Sequence, residues 1–330
     1  MNKSEPRGYH GIDIGGSKIE LVAYAETDDV LIEVHRERIA TPGTDFAAFL
    51  QAMEGLIGRA DAALGLRAPV GIGLPGVIDS VSGRHLSSNV PAFNGRLVVS
   101  ALQQALQRPL AFGNDCQCFA LSEAQGGAAA GLASMFGAII GTGAGGGYCV
   151  DGRLLRGLNG VAGEWGHWPL PASLLQAYDL PLHACPCGRR GCLERYVSGP
   201  GMSLLHRHFG GDGEPPLAIV ARAQTGSEAA ARTLEIHADL LGHALASLVM
   251  AFDPHAIVLG GGLSQLSHLY EQLPGAVRRH LFAGVRVPPI LPPTFGDSGG
   301  ARGAALLAKQ QVPRLHLPAA HQDAASTGAD

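Results

Sequence analysis

An α/β fold, in two domains or one large one, follows from three features of this sequence. At 330 residues the chain is too long for a single small core. Short apolar strand patterns alternate with stretches of helical spacing. The unit strand, glycine turn, strand occurs twice, near residues 12–22 and again near 137–150, which either two chance hairpins or an internal duplication would produce.

Residues 8–14 (GYHGIDI) read as a short apolar strand that ends in Gly15, Gly16 and Ser17. Residues 18–25 alternate and predict a second strand, and 30–40 predict a third. This opening is a β-meander with a glycine turn rather than a βαβ unit. Thr44 is the expected N-cap of an amphipathic helix over 46–64. A strand over 69–74 breaks at Pro75 and Gly76, and a glycine turn near Gly83 separates the next short strands. Residues 98–107 predict a helix, 109–112 a strand and 118–130 another helix. The second unit starts with a buried-type strand at 135–140, passes through GTGAGGG at 141–147 and returns over 147–155. Residues 195–252 are largely helical in pattern, most clearly 227–250, which are rich in Ala and Leu. Asp253 and Pro254 end that helix, and a strand over 256–259 runs into Gly260, Gly261 and Gly262. A last helix is expected over 299–309, followed by a mobile tail over 312–330.

The net charge is −4 and the basic residues are scattered, which argues against nucleic acid and membrane surfaces as partners. No apolar run reaches the roughly 20 residues that a membrane span needs. The opening MNKSEPRGYH lacks the apolar stretch of a secretory signal. The six cysteines are Cys116, Cys118, Cys149, Cys185, Cys187 and Cys192. A disulfide framework is disfavoured in a chain of this size without a signal, so a reduced, cytoplasmic protein is expected. The 47 glycines cluster beside apolar runs, which suits loops touching a ligand better than it suits disorder.

Asp13, Ile14, Gly15, Gly16, Ser17 and Lys18 stand at a strand end. Glycines there let backbone N–H groups approach an anion closely, and a nest of such groups suits phosphate. An ordinary hairpin turn fits the same residues. The run is neither G-x-G-x-x-G nor G-x-x-x-x-G-K-[ST], so Rossmann and P-loop readings both fail. Gly141, Thr142 and Gly143, with Gly145 to Gly147 behind them, form a second glycine loop, and Gly260 to Gly262 form a third. Each alone can be structural. Three at strand ends in one α/β chain favour a nucleotide shared between two domains. Asn114 and Asp115 follow another strand end. An Asp there can accept a proton from a substrate hydroxyl, and it can equally cap the helix that follows.

The stretch from Gly163 to Glu194 concentrates soft ligands: His167, Cys185, Cys187 and Cys192. Three thiolates and one imidazole make up a closed, structural zinc site, with no open position for metal chemistry. A zinc-bound histidine gives its second ring N–H to an acceptor, here a protein group or a substrate oxygen. Glu164 and Glu194 flank the ligand set, so a metal that pins this loop also pins two carboxylates. Cys116, Cys118 and Cys149 do not fit the spacing and read as small buried side chains.

These motifs together, DIGGSK (13–18), LPG (74–76), ND (114–115), GTGAGGG (141–147), GEWGH (163–167) and CPCGRRGCLE (185–194), resemble the ROK family of sugar kinases. GGG at 260–262 and GDSGGARGAA at 296–305 fit it too, and the resemblance covers roughly 9–309. NVPAFNGR (89–96) and YDLPLHACPCG (178–188) look most like the N-acetylglucosamine kinase branch, while GEWGHWPLP (163–171) looks more like the fructokinase and mannokinase branch.

The resemblance implies an actin- and hexokinase-like (ribonuclease H-like) fold with the active site in a cleft between two α/β domains. The small domain would span 1–115, completed by the C-terminal helix near 299–310, and the large one 116–298, with the zinc loop at 163–194. The implied activity is ATP-dependent phosphorylation of a sugar 6-hydroxyl, with N-acetyl-D-glucosamine favoured and fructokinase, mannokinase or glucokinase activity as alternatives. Asp115 would be the general base. Gly76, Asn89, Asn114, Glu164, His167 and Glu194 would bind the sugar with it. ATP would come with Mg²⁺, whose water shell Asp13 would orient. Gly15, Gly16, Ser17 and Lys18 would cradle phosphate, Thr142 and Gly143 would reach the phosphates, and Gly260, Gly261 and Gly262 would lie against the nucleoside. His167, Cys185, Cys187 and Cys192 would hold structural Zn²⁺. The expected assembly is a homodimer.

One residue departs from the family pattern. Gln117 stands where an Asn is usual, two positions after Asp115, which puts the hydrogen bonding around the base in question. Repressors of the same family carry an N-terminal helix-turn-helix, and the twelve residues before Asp13 are too few for one. A sugar-binding module without catalysis is disfavoured by the retained Asp115 and glycine loops. Ala92 in NVPAF is the candidate wall beside the sugar's C2 substituent.

Overall fold

The structure, a computed structural model, describes residues 7–86, 90–296 and 299–311. The expectations for Asn89 and for the 312–330 tail lie outside those residues.

The chain opens with the expected meander: β1 (Arg7–Ile14), β2 (Lys18–Thr27) and β3 (Val30–Ala40). There follow α1 (Phe46–Leu64), β4 (Val70–Leu74), a small hairpin of β5 (Val77–Ile78) and β6 (His85–Leu86), α2 (Val98–Leu106), β7 (Leu110–Asn114) and α3 (Asp115–Ala124). The N-cap of α1 is Asp45 rather than Thr44, because its carboxylate accepts from the N–H groups of both Ala47 and Ala48. α3 stops at Ala124, short of the expected 130, where Gly126 turns the chain with a φ of +91°.

A second meander follows: β8 (Ser134–Ile140), β9 (Ala144–Val150) and β10 (Arg153–Leu154). A long stretch then carries α4 (Ala172–Ala177), α5 (Glu194–Val197), α6 (Gly199–His208), α7 (Pro216–Gln224) and α8 (Glu228–Phe252). β11 (Ile257–Gly260), α9 (Ser267–Arg279), β12 (Ile290–Leu291) and α10 (Gly299–Gln311) complete the fold. The sequence pattern does not predict α9. Its buried Leu269, Leu273, Ala276 and Val277 have helical spacing, which the interior Pro274 disguises. α8 is long and apolar enough to cross a membrane by length and composition, but 67% of that window is buried inside the protein.

Two five-stranded sheets result, ordered β3-β2-β1-β4-β7 and β10-β9-β8-β11-β12. In each, an antiparallel meander is extended by two strands parallel to its first. The recurring strand, turn, strand is therefore one part of a larger recurring unit, as internal duplication would produce.

Each sheet also carries a helix laid almost directly on its backbone. Gly11 of β1 and Gly71 of β4 are register partners. A Cβ on either would collide with α10, at the carbonyls of Ala301 and Ala304. On the second sheet Gly137 of β8 pairs with Gly147 of β9, and a Cβ on them would come 2.8 and 2.9 Å from Cβ of Ala120 in α3. α3 and α10 touch each other as well, since a Cβ on Gly303 would strike the carbonyl of Cys118. Arg302 locks the pair: it donates to the carbonyls of Ser122 (2.8 Å) and Gln125 (2.6 Å) and lies 4.1 Å over the Phe295 ring. On the other face of the first sheet, Ile12, Leu21 and Ile72 bury against Phe49 and Met53 of α1.

Candidate functional site

Because β1, β4 and β7 run parallel, their carboxyl ends share one edge. Asp13 pairs with Gly73, and Leu74 with Asn114. Asp13, the Pro75-Gly76 turn and Asn114-Asp115 thus gather where open α/β sheets bind ligands. Asn114 caps α3: its Oδ1 accepts from the N–H of Cys116 at 2.9 Å, and its Nδ2 donates to the Gly76 carbonyl at 3.3 Å. Asp115 is the first helical residue, and its Oδ1 also accepts from that N–H, at 2.8 Å. The capping role therefore falls mainly to Asn114. Burial raises the pKa of Asp115 above the usual carboxylate range, with hydrogen bonds from Cys116 opposing.

Glu164 reaches this volume from a different segment. Burial raises its pKa; His167 opposes the rise, while Asp115 and Glu194 add to it. The Cys116 thiol is pushed up by burial and further by the charges of Asp115, Glu164 and Asp13. Carboxylates far apart in sequence thus act on one place. The segment bearing Glu164 lies flat on β9. Gly163, at a φ of +109°, has no room for a Cβ against the Gly146 carbonyl, and buried Trp165 donates its indole N–H to Gly145 O at 2.7 Å. Buried Gln117 donates to two carbonyls just upstream, Gly160 at 3.0 Å and Ala162 at 3.1 Å. Its long amide staples the loop that leads into Glu164. A cavity of about 240 Å³ opens between Gly76, Asn114, Gln117 and Glu164. His85 Nε2 lies 2.7 Å from the Pro75 carbonyl and fixes that turn; burial lowers its pKa, so it donates as a neutral imidazole.

The second sheet supplies two glycine loops. Gly141 N–H donates to Gly143 O at 2.9 Å, closing the β8–β9 turn. Ala144 N–H donates to Glu194 Oε2 at 3.0 Å, and a Cβ on Gly143 would come 2.7 Å from the same oxygen. Gly199 N–H at the start of α6 donates to Gly141 O at 2.8 Å. Gly261, at a φ of +76°, packs against the Ile140 carbonyl, which brings the two loops together. Gly260 is the buried end of β11, pressed on Phe119, so the loop proper begins at Gly261. Gly145 to Gly147 likewise lie inside β9 as packing positions. Thr142 and Gly262 line a larger cavity of about 720 Å³ with Leu204, Leu217 and Leu263. The Gly15–Ser17 turn is more open: Gly16, Ser17 and Lys18 are exposed, and Thr41 Oγ1 braces the Gly15 carbonyl at 2.8 Å.

The ligating atoms of His167, Cys185, Cys187 and Cys192 all lie within 4.8 Å of one another. Cys185 Sγ is 3.7 Å from His167 Nδ1, and Cys187 Sγ is 3.6 Å from Cys192 Sγ. Bond lengths near 2.3 Å to sulfur and 2.0 Å to nitrogen give tetrahedral edges of roughly 3.7 Å, so the donors fit such an ion. His167 Nε2 turns the other way and sits 3.8 Å from Glu164 Oε2. Cys185 N–H to Arg189 O and Gly191 N–H to His183 O, both 2.8 Å, fold the cysteine loop as a small hairpin.

Two sheets of like topology, bearing glycine loops and carboxylates on their carboxyl edges, define an actin- and hexokinase-like α/β fold. The ROK family model matches residues 9–311, and the chain belongs to the ROK family. It is 44% identical over 299 residues to N-acetylgalactosamine kinase AgaK of Shewanella sp. (strain ANA-3), covering 91% of this chain and 96% of that protein. It is 40% identical over 301 residues to N-acetyl-D-glucosamine kinase of Vibrio cholerae serotype O1, covering 91% and 99%. The ROK hexokinase from Thermus thermophilus superposes with a TM-score of 0.81 at 32% identity, covering 92% of this chain and 99% of that one.

Proposed function

We propose that this protein is an ATP-dependent sugar kinase that phosphorylates the 6-hydroxyl of N-acetyl-D-glucosamine to give N-acetyl-D-glucosamine 6-phosphate. The observation that carries this reading is the convergence of Asp115, Glu164 and Glu194 beside the Gly141–Gly143 turn. The 6-hydroxyl gives its proton to Asp115 as its oxygen attacks the γ-phosphate in line, the bond from that phosphorus to the β,γ-bridging oxygen breaks, and ADP leaves. A carboxylate with a raised pKa is better matched to that task near neutral pH. Phosphoryl transfer is otherwise a matter of position and charge, with Mg²⁺ accompanying ATP to neutralise the phosphates.

Gly76, Asn89, Asn114, Glu164, His167 and Glu194 hold the sugar. Gly15, Gly16, Ser17, Lys18, Thr142 and Gly143 hold phosphates, Asp13 would help hold the Mg²⁺ that neutralises them, and Gly260 to Gly262 bound the nucleoside. Zinc at His167, Cys185, Cys187 and Cys192 orders the loop and does no chemistry. The cleft lies between 1–115, joined by the helix near 299–310, and 116–298. The working form is a cytoplasmic homodimer.

N-acetyl-D-galactosamine is a second reading, favoured by the 44% identity to the Shewanella enzyme. ADP release with Mg-ATP, measured as kcat/KM across both N-acetylhexosamines, glucose, mannose and fructose, tests both. Selectivity for an N-acetylhexosamine is expected. No turnover with any hexose or hexosamine would sink the kinase, and a preference for fructose above about tenfold would overturn the substrate.

A further inference from the structure

We propose that Arg195 grips the phosphate chain of the donor nucleotide on its nucleoside side, an assignment that rests on the kinase reading above. Arg195 follows Glu194 in α5, and Glu194 is tied to the Ala144 N–H of the β8–β9 turn. Its own N–H donates to Cys192 O at 3.0 Å, so its backbone is set by the same turn that carries the metal-site cysteine. Its side chain lines the 720 Å³ cavity together with Thr142 and Gly262.

The guanidinium is unusual in having nothing to bind. Its Nε is buried without a hydrogen-bond partner, and Arg195 makes no side-chain hydrogen bond or ion pair among the described residues. The one other arginine with a buried unpartnered Nε among them, Arg108, pairs its remaining nitrogens with Asp61 at 2.7 and 3.0 Å. Arg195 as a whole is only half-buried, and an unpaired cation on a cavity wall is free to take an anionic acceptor from a ligand.

The rest of the cavity says which ligand. Leu204, Leu217 and Leu263 give it apolar walls suited to a flat base. Arg207 of α6 lines it too, with its Nε held only by Asp212 O at 3.4 Å. Among the described residues no carboxylate pairs with either arginine: Glu194 serves Ala144, and Glu214 and Asp212 both pair with Arg222, at 2.6 and 3.8 Å. Two cations at an apolar cleft beside a glycine turn match a molecule with an apolar base and a polyanionic chain. Arginine suits this better than lysine, because its planar fork meets phosphate oxygens in pairs.

The test uses the full-length protein and Arg195→Met, with Arg195→Lys beside it, each first checked for an unchanged melting temperature. Binding of adenosine, AMP, ADP and inorganic tripolyphosphate is measured by calorimetry. Removing the guanidinium should weaken AMP and ADP by about tenfold or more and leave adenosine within about twofold. The KM for ATP should rise similarly, with the sugar KM unchanged and partial recovery in the lysine variant. Equal losses for adenosine and ADP, or no loss for ADP, would overturn the assignment while leaving the kinase intact. Tripolyphosphate binding as tightly as ADP, with the same loss, would overturn the nucleotide in favour of free polyphosphate. Wild-type protein that binds no adenine nucleotide would sink the kinase reading first, and this assignment with it.

Discussion

The two sheets share strand order and strand sense, yet they carry different loads. Between β3 and β4 the first sheet spends residues 41–69 on one helix, α1. Between β10 and β11 the second spends 155–256 on the Glu164 segment, the cysteine loop and α4 to α8. The consequence shows at the two turns. The Gly15–Ser17 turn is braced by Thr41 and otherwise open, whereas the Gly141–Gly143 turn is held from one side by Glu194 and from the other by Gly261. A repeated frame thus supplies strand-edge positions, and what is inserted into one copy decides which edge becomes pre-shaped for a ligand.

The largest expected effect falls on the frame itself. At Gly71 an added methyl runs into the Ala304 carbonyl of α10, while at Gly147 it meets Cβ of Ala120 at 2.9 Å and Cα of Gln117 at 3.0 Å. Gly71→Ala should cost at least about 3 kcal/mol and Gly147→Ala about 1–3 kcal/mol in urea unfolding, because the overlap at Gly71 is much deeper. Equal costs would mean that the two helix-on-sheet contacts are mechanically alike.

Asp115→Asn separates frame from chemistry. Turnover should fall by about 10²-fold or more while the fold stands. The raised pKa sets the sign of the stability change. Folding favours the protonated form, so the contribution of Asp115 is greatest at acid pH and is lost as pH rises through its folded pKa. The Asn variant should therefore melt no lower than wild type at pH 7. In wild type, turnover should decline as pH falls through that same pKa, and turnover that holds steady down to the ordinary carboxylate range would remove Asp115 as the base.

Cys187→Ser tests whether the inserted loop shapes the second sheet's edge through a metal. Bound zinc, read by elemental analysis, should drop, and sugar affinity should weaken by about tenfold, since groups that orient a metal site and its neighbours typically change its affinity or activity by about 10- to 100-fold when lost. Sugar affinity that survives zinc loss would uncouple the metal from Glu164 and Glu194. The smallest effect is expected at Gln117. Gln117→Ala leaves the exposed Gly160 and half-buried Ala162 carbonyls to water, costing about 0.5–1.5 kcal/mol, and should raise the sugar KM more than it lowers kcat. A change in kcat alone would place Gln117 with Asp115 rather than with the Glu164 loop.

Much of this was readable along the chain because it is local. The meander, α1 and α8 follow from periodicity over adjacent residues. The four metal donors share one 26-residue stretch, from His167 to Cys192, and thiolates with an imidazole have few other uses. The errors are local too, and each has a cause. Asp45 outcompetes Thr44 because its carboxylate reaches two N–H groups, and Pro274 sits inside a helix that its buried neighbours hold together.

What adjacent residues could not determine is which distant groups meet. Gln117 looks like a departure from a pattern until its amide is seen on Gly160 and Ala162. Glu194 reads as a sugar ligand, yet in the folded chain it also holds the Ala144 N–H, fifty residues away. The glycines of GTGAGGG divide into an open turn and strand positions pressed by α3 and Gly163 only once the sheets are stacked. Chemical type and spacing are properties of a short segment. Strand order, close backbone approach and the mutual field of Asp115, Glu164 and Glu194 depend on non-local packing, which comes into being only when the two sheets close on α3 and α10.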